Sequence, residues 1–231
     1  MSGDLFQRTA LLVGDEAMQR FAAARVILFG IGGVGSWCAE ALIRSGVGHL
    51  TMVDPDCVEV SNINRQLPAT VATIGRPKVE VLRERLLSIH PSADIQALQD
   101  RYTVDSAAKF SVEDYDYVID AIDSMADKME LILSTLQSPH SILFSSMGAA
   151  RKMDPTQVRV SEFWKVDGCP LAATLRKRIR RAGRYPERKF QCVWSPERLD
   201  TAQPKGTLMP VTATFGLTLA TLVLQHLVRQ Q

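Results

Sequence analysis

A chain of 231 residues that is 46% apolar and 23% charged, with a formal net charge of +2, can offset its ordering entropy by burial, so disorder is excluded. Four cysteines (Cys38, Cys57, Cys169, Cys192) form no C-x-x-C pair, which argues against a zinc knuckle or a disulfide scaffold and suits a reducing cytoplasm. The opening Met1-Ser-Gly-Asp-Leu5 has no basic region followed by an apolar core, so no secretory signal is expected.

Apolar runs and turn signals then alternate along the chain. Arg25-Val-Ile-Leu-Phe29 ends in glycines and predicts a strand buried on both faces. A helix is predicted over 34–43, and Leu50-Thr-Met-Val53 is a second strand closing on Asp54. Val79, Leu82, Leu86 and Ile89 give a helical period that stops at His90-Pro91. Further strands are predicted over 95–98, 116–119 and 141–144, with a helix through Leu131 to Leu136. This alternation predicts an α/β fold, a Rossmann-like, mostly parallel sheet with helices on both faces. Ligands in such sheets bind beyond the carboxyl ends of the strands. One domain is expected over 1–231, with a nucleotide-binding core over 1–165 and a basic crossover segment and final helix over 166–231.

The last third changes character. Thr174 to Lys189 carries eight basic residues against one acid, Glu187, and polar residues follow over 200–206. Val211 to Val228 is long and apolar, but Thr212, Thr214, Thr218, Thr221, Gln225 and His226 favour a buried, interface-forming helix over a membrane span.

Gly30-Ile-Gly32-Gly33-Val-Gly35 follows a strand and opens a helix, the context of a phosphate-binding turn. Such glycines also serve strand–helix packing alone. Asp54, at the end of the second strand, suits ribose hydroxyls, which favours a nucleotide without separating NAD from ATP. The next loop makes that separation. Asp56, Asn62, Arg65 and Gln66 follow, and Lys78 starts a helix. Converging cations suit a triphosphate under attack. Asp123 offers an oxygen ligand for Mg²⁺, or alternatively a helix cap before Met125.

With Ser61-Asn-x-x-Arg65-Gln66, Gly75-x-Pro-Lys78 and Asp120-x-x-Asp123, the chain resembles the ThiF/MoeB superfamily of adenylating domains, bacterial relatives of ubiquitin-activating enzymes. The resemblance implies that Asp54, Asn62, Arg65 and Lys78 hold ATP and that Asp123 binds magnesium. Leu5-Phe-Gln-Arg8 looks like the family's N-terminal Arg-Tyr-x-Arg, so Arg8 is expected to reach the phosphates of a partner subunit in a homodimer. Leu5 departs from the first Arg of that pattern.

Missing C-x-x-C pairs and Asp120-Ala-Ile-Asp-Ser124 look like the tRNA threonylcarbamoyladenosine dehydratase group, as do Asp154-Pro-Thr-Gln157 and the stretch from Pro210 to Gly216. The implied reaction uses ATP to adenylate the threonyl carboxylate of the modified base, which then cyclises. Arg65, Lys78, Arg8 and Asp123 would serve that step. Arg176, Lys177, Arg178, Arg180 and Arg181 are the expected tRNA phosphate ligands, although solvated helix faces carry similar runs. Tyr185 and Trp194 are weighed as base-stacking rings, with packing the commoner role. The alternatives are adenylation of the C-terminal Gly-Gly of a ubiquitin-like sulfur carrier, and a nucleotide-sensing module without chemistry. A sulfur-transfer partner would need an exposed thiol, for which Cys169 and Cys192 are the candidates. The four histidines show no ligand spacing.

Overall fold

The computed structural model describes residues 5–198 and 206–230; the first four residues and most of the polar run at 200–206 lie outside them. All five predicted strands form: β1 (Arg25–Phe29), β2 (His49–Val53), β3 (Asp94–Leu98), β4 (Tyr117–Asp120) and β5 (Ile142–Ser146). The helices between them are α3 (Gly35–Ser45), α4 (Lys78–Ile89) and α5 (Met125–Thr135). Two short helices, α1 (Gln7–Val13) and α2 (Asp15–Ala23), precede β1. Beyond β5 come β6 (Arg159–Glu162), α6 (Pro170–Ala182), β7 (Gln191–Trp194) and α7 (Met209–Arg229).

The strands form one sheet in the order β3-β2-β1-β4-β5-β7-β6, parallel except for the β6–β7 pair. Residues after 165 therefore complete the sheet that the earlier ones begin. In β1, Val26 and Leu28 point into a core with Leu42 of α3, Leu82 of α4 and Phe215 of α7. Ile27 and Phe29 point the other way, among Leu131 and Ile132 of α5 and Leu175 and Ile179 of α6. Both faces are covered, which is why the strand reads as an unbroken apolar run.

α7 is the one helix among the described residues long and apolar enough to span a membrane. It packs as a core helix instead. Val211, Phe215, Leu219, Val223 and Leu227 are buried, and a Cβ at Gly216 would stand 2.2 Å from the carbonyl oxygen of Val34. The missing side chain lets α7 lie directly on the start of α3.

The chain runs from β1 to β2 and β3 on one side, then returns to β4 on the other. The loops after β1 and β4 diverge at this reversal and leave a crevice.

Candidate active site

A cavity of about 1030 Å³ fills that crevice, beyond the carboxyl ends of β1, β2, β4 and β5. Gly30, Gly32 and Gly33 line it. Gly30 has φ +91°, and a Cβ there would meet the Ala121 carbonyl oxygen at 2.6 Å, so the two diverging loops touch through a glycine. Gly35 corrects the expectation of four cofactor-binding glycines. It is buried away from the cavity, where a Cβ would collide with the Gly30 carbonyl oxygen at 1.8 Å, so its role is packing α3 against the turn.

Asp54 stitches two loops together. Its Oδ2 accepts the Ile31 N–H at 2.6 Å and its Oδ1 accepts the Asp56 N–H at 2.9 Å. Burial pushes its carboxyl pKa up, against the opposing pull of Lys78 and the two N–H donors. Lys78 is 22 residues beyond Asp56 in sequence, yet the loop folds back on itself through Val58 N–H to Arg76 O and Gly75 N–H to Val58 O. The buried Lys78 Nζ thereby sits 2.8 Å from Asp56 Oδ2 and 3.9 Å from Asp54 Oδ1. Asn62 is also buried, and its Oδ1 accepts the Glu59 N–H at 3.2 Å. Arg65 lines the cavity, with Nη1 donating to the Ser61 carbonyl at 2.8 Å.

Two observations fit a nucleotide. Gln66 is buried on the cavity wall, and its Oε1 has no hydrogen-bond partner among the described residues. A buried acceptor without a donor costs about 1–3 kcal/mol, a deficit that a ligand hydroxyl or amine removes. Asp120 and Asp123 then divide their roles sharply. Asp120 is buried and satisfied: Oδ2 accepts from Lys128 Nζ at 2.7 Å and Ser145 Oγ at 2.6 Å, and Oδ1 from the Ile122 N–H at 3.1 Å. Asp123 is exposed to the cavity and accepts no hydrogen bond among the described residues. The helix-cap alternative for Asp123 falls, because Ser124 occupies the cap of α5 and no side chain caps it. No group of three or more His, Cys, Asp or Glu forms a metal cage among the described residues. One open carboxylate in the cavity lined by the glycine turn instead fits Mg²⁺, an ion typically held by one or two carboxylates plus phosphates.

Other wall residues are not among the expected ligands. Arg101, just past β3, donates from Nε to Asp127 Oδ2 at 2.9 Å. Lys152 is buried, with Nζ 2.9 Å from the Ser195 carbonyl oxygen and 2.7 Å from that of Glu197. Burial holds its amine below the ordinary lysine range. Thr212 of α7 lies 3.2 Å from where a Gly33 Cβ would stand. A cation just past a strand's carboxyl end was the one signal available for Arg101.

Arg8 is elsewhere. It is exposed on α1, beside a second cavity shared with α7 rather than the first. In the basic segment, Lys177, Arg178, Arg180 and Arg181 are exposed. Arg176 is corrected from phosphate ligand to structural anchor, because its Nη1 donates to the carbonyls of Phe163 at 3.0 Å and Val166 at 2.7 Å. Arg184 pairs with Glu130 at 2.8 Å, and Arg188 donates to the carbonyls of Ser138 and Ser141.

Cys169 and Cys192 are both buried, and burial pushes the Cys192 thiol well above its usual range. A buried neutral thiol is a poor nucleophile. Cys169→Ser and Cys192→Ser variants are therefore expected to retain turnover, measured as AMP release; loss of turnover in a well-folded variant would restore a thiol carrier.

The ThiF family model matches residues 6–231. The chain is 40% identical over 214 residues to the tRNA threonylcarbamoyladenosine dehydratase of Escherichia coli, covering 90% of this chain and 80% of that protein. Its fold superposes on E. coli TcdA in complex with ATP with a TM-score of 0.91 at 38% identity, over 99% of this chain and 97% of the other. The E. coli ThiS adenylyltransferase is 37% identical, but over 54% of this chain and 51% of its own length. Matching almost end to end, with its adenylation motifs gathered around one crevice, the chain belongs to the ThiF family.

Proposed function

We propose that this protein is an ATP-dependent tRNA-modifying dehydratase that cyclises threonylcarbamoyladenosine through carboxylate adenylation. The observation that carries the reading is the path of α6. Pro170, Leu171 and Thr174 at its start line the nucleotide cavity, while Lys177, Arg178, Arg180 and Arg181 are exposed on the turns that follow. A nucleotide site that runs into a cationic helix suits a polyanionic substrate.

The glycine turn and Asp54 hold ATP by its phosphates and ribose, and Gln66 offers its unpaired acceptor. The threonyl carboxylate attacks the α-phosphorus, forming an acyl–phosphate bond as the bond to pyrophosphate breaks. Arg65 and Lys78 balance the charge that develops on the phosphates. A nucleophilic atom of the same base then displaces AMP, which carries away one carboxylate oxygen. That closure is intramolecular and gains a large effective molarity. Asp123 would hold Mg²⁺, which when bound supplies further charge neutralisation on the phosphates.

In this reading the chain is one adenylating domain, works in the cytoplasm and pairs as a homodimer. Arg8 lies outside its own cavity and so would reach the phosphates of the second subunit. The two candidate thiols for sulfur transfer, Cys169 and Cys192, are both buried.

ATP–pyrophosphate exchange tests the reading directly. Exchange dependent on tRNA supports it, whereas exchange dependent on a ubiquitin-like carrier replaces it. ATP binding with no AMP under either condition points to a nucleotide sensor. In cells lacking the protein, mass spectrometry of tRNA nucleosides should show the uncyclised precursor accumulating.

The cationic face gives a second expectation. Changing Lys177, Arg178 and Arg181 to Gln should flatten the dependence of log affinity for tRNA on log salt by up to about one unit per lost phosphate contact. ATP affinity should not move. An unchanged slope, measured by filter binding, would make these residues a solvated face only.

A further inference from the structure

We infer that Trp164, Tyr185 and Arg180 form a stacking platform for unpaired bases next to the nucleotide being modified. The inference rests on the tRNA reading and adds a subsite to it. An aromatic column runs outward from the core here. Phe190 stacks on Phe163 at 4.9 Å between centroids, Phe163 meets Trp164 at 5.2 Å, and Trp164 meets Tyr185 at 6.3 Å with the planes 32° apart. The inner two rings are buried, whereas Trp164 is 37% and Tyr185 56% exposed. The outer pair thus rests on a buried inner pair and still presents ring surface to solvent.

The surroundings favour a nucleic-acid base over a protein side chain. The Arg180 guanidinium lies over the Trp164 ring, 5.7 Å from its centroid, and Lys165, Lys177 and Arg181 are exposed nearby in the chain or on the same helix. Exposed rings among cations are what single-stranded nucleic acid needs, because every base has a stacking face and every linkage a phosphate. Arg176 now has a reason for turning inward. Its bonds to the Phe163 and Val166 carbonyls bracket the turn that carries Trp164, and its guanidinium covers the Phe163 ring at 5.8 Å.

Distance fits as well. Thr174 lines the nucleotide cavity and Arg180 is six residues further along α6, about 9 Å at 1.5 Å per residue. At about 3.4 Å per stacked nucleotide, that rise spans roughly two to three nucleotides outward from the cavity wall.

The test is binding of two RNA probes, a stem-loop with an unpaired loop and a blunt duplex of the same length, to the full chain. Tyr185→Ala and Trp164→Ala are each expected to weaken stem-loop binding about ten-fold, within the range seen for base–aromatic stacking. Duplex binding, the salt slope and ATP binding should stay as they were, and Trp164→Phe should stay close to wild type. Tyr185 is the more exposed of the two rings, which guards against a folding defect in the Trp164 variant. Unchanged stem-loop affinity in Tyr185→Ala and a stably folded Trp164→Ala would overturn the platform. So would an equal loss for stem-loop and duplex. If the wild-type chain binds neither probe and a carrier protein drives pyrophosphate exchange, the dehydratase reading falls and takes the platform with it.

Discussion

Asp123→Ala is expected to abolish AMP formation while the protein stays folded and still binds ATP. The carboxylate stands exposed in the cavity and accepts no hydrogen bond among the described residues, so its removal breaks none of the bonds described. Its expected service is to Mg²⁺, and charge stabilisation by such an ion is worth several kcal/mol in the transition state. A loss of about 4 kcal/mol is roughly a thousand-fold in rate. Single-turnover AMP release measures the chemistry, and equilibrium ATP binding measures what the glycine turn and Asp54 retain. Near wild-type AMP release would mean that the metal is held elsewhere.

Lys128→Met should produce the largest loss of stability. Lys128 and Asp120 are both 0% exposed and meet at 2.7 Å, with Ser145 Oγ and the Ile122 N–H completing the carboxylate's partners. Removing the ammonium leaves a buried carboxylate with only neutral donors. Breaking a buried pair in this way costs about 3–5 kcal/mol. The midpoint of denaturant unfolding reads this cost. Lys128→Met combined with Asp120→Asn should recover part of it, because no uncompensated charge then remains. A change below about 1 kcal/mol in the single variant would mean that water reaches the pair. Since Asp120 also fixes the Ile122 N–H, one residue from Asp123, the single variant should lose adenylation as well.

The sequence made some parts of this architecture legible and hid others for physical reasons. β1 to β5 could be read because parallel strands covered on both faces are apolar runs. β6 could not, since Arg159-Val-Ser-Glu162 is an antiparallel edge strand with no fully buried residue. α1 escaped for the same reason, because it buries none of its residues. In the site, Asp54, Asn62, Arg65, Gln66 and Lys78 share one loop and its following helix, so their spacing announces them. Lys152 and Thr212 reach the same cavity from distant loops and helices, and only folding brings them there.

Side-chain direction was harder still. Arg176 sits in a run of like residues, yet its long stem carries the charge inward to two carbonyls. Trp194 was a stacking candidate by residue type, but it is 6% exposed. Trp164, which carried no motif, has the exposed ring.

The contact between α7 and the phosphate turn bears on how the protein is made. Gly216 rests on the Val34 carbonyl and Thr212 presses on Gly33, so the nucleotide turn near residue 33 is backed by a helix that starts at Met209. During synthesis the turn emerges early, long before its support has been made. A chain that stops short of α7 would therefore carry the glycine turn and the Asp54 loop without the helix that backs them.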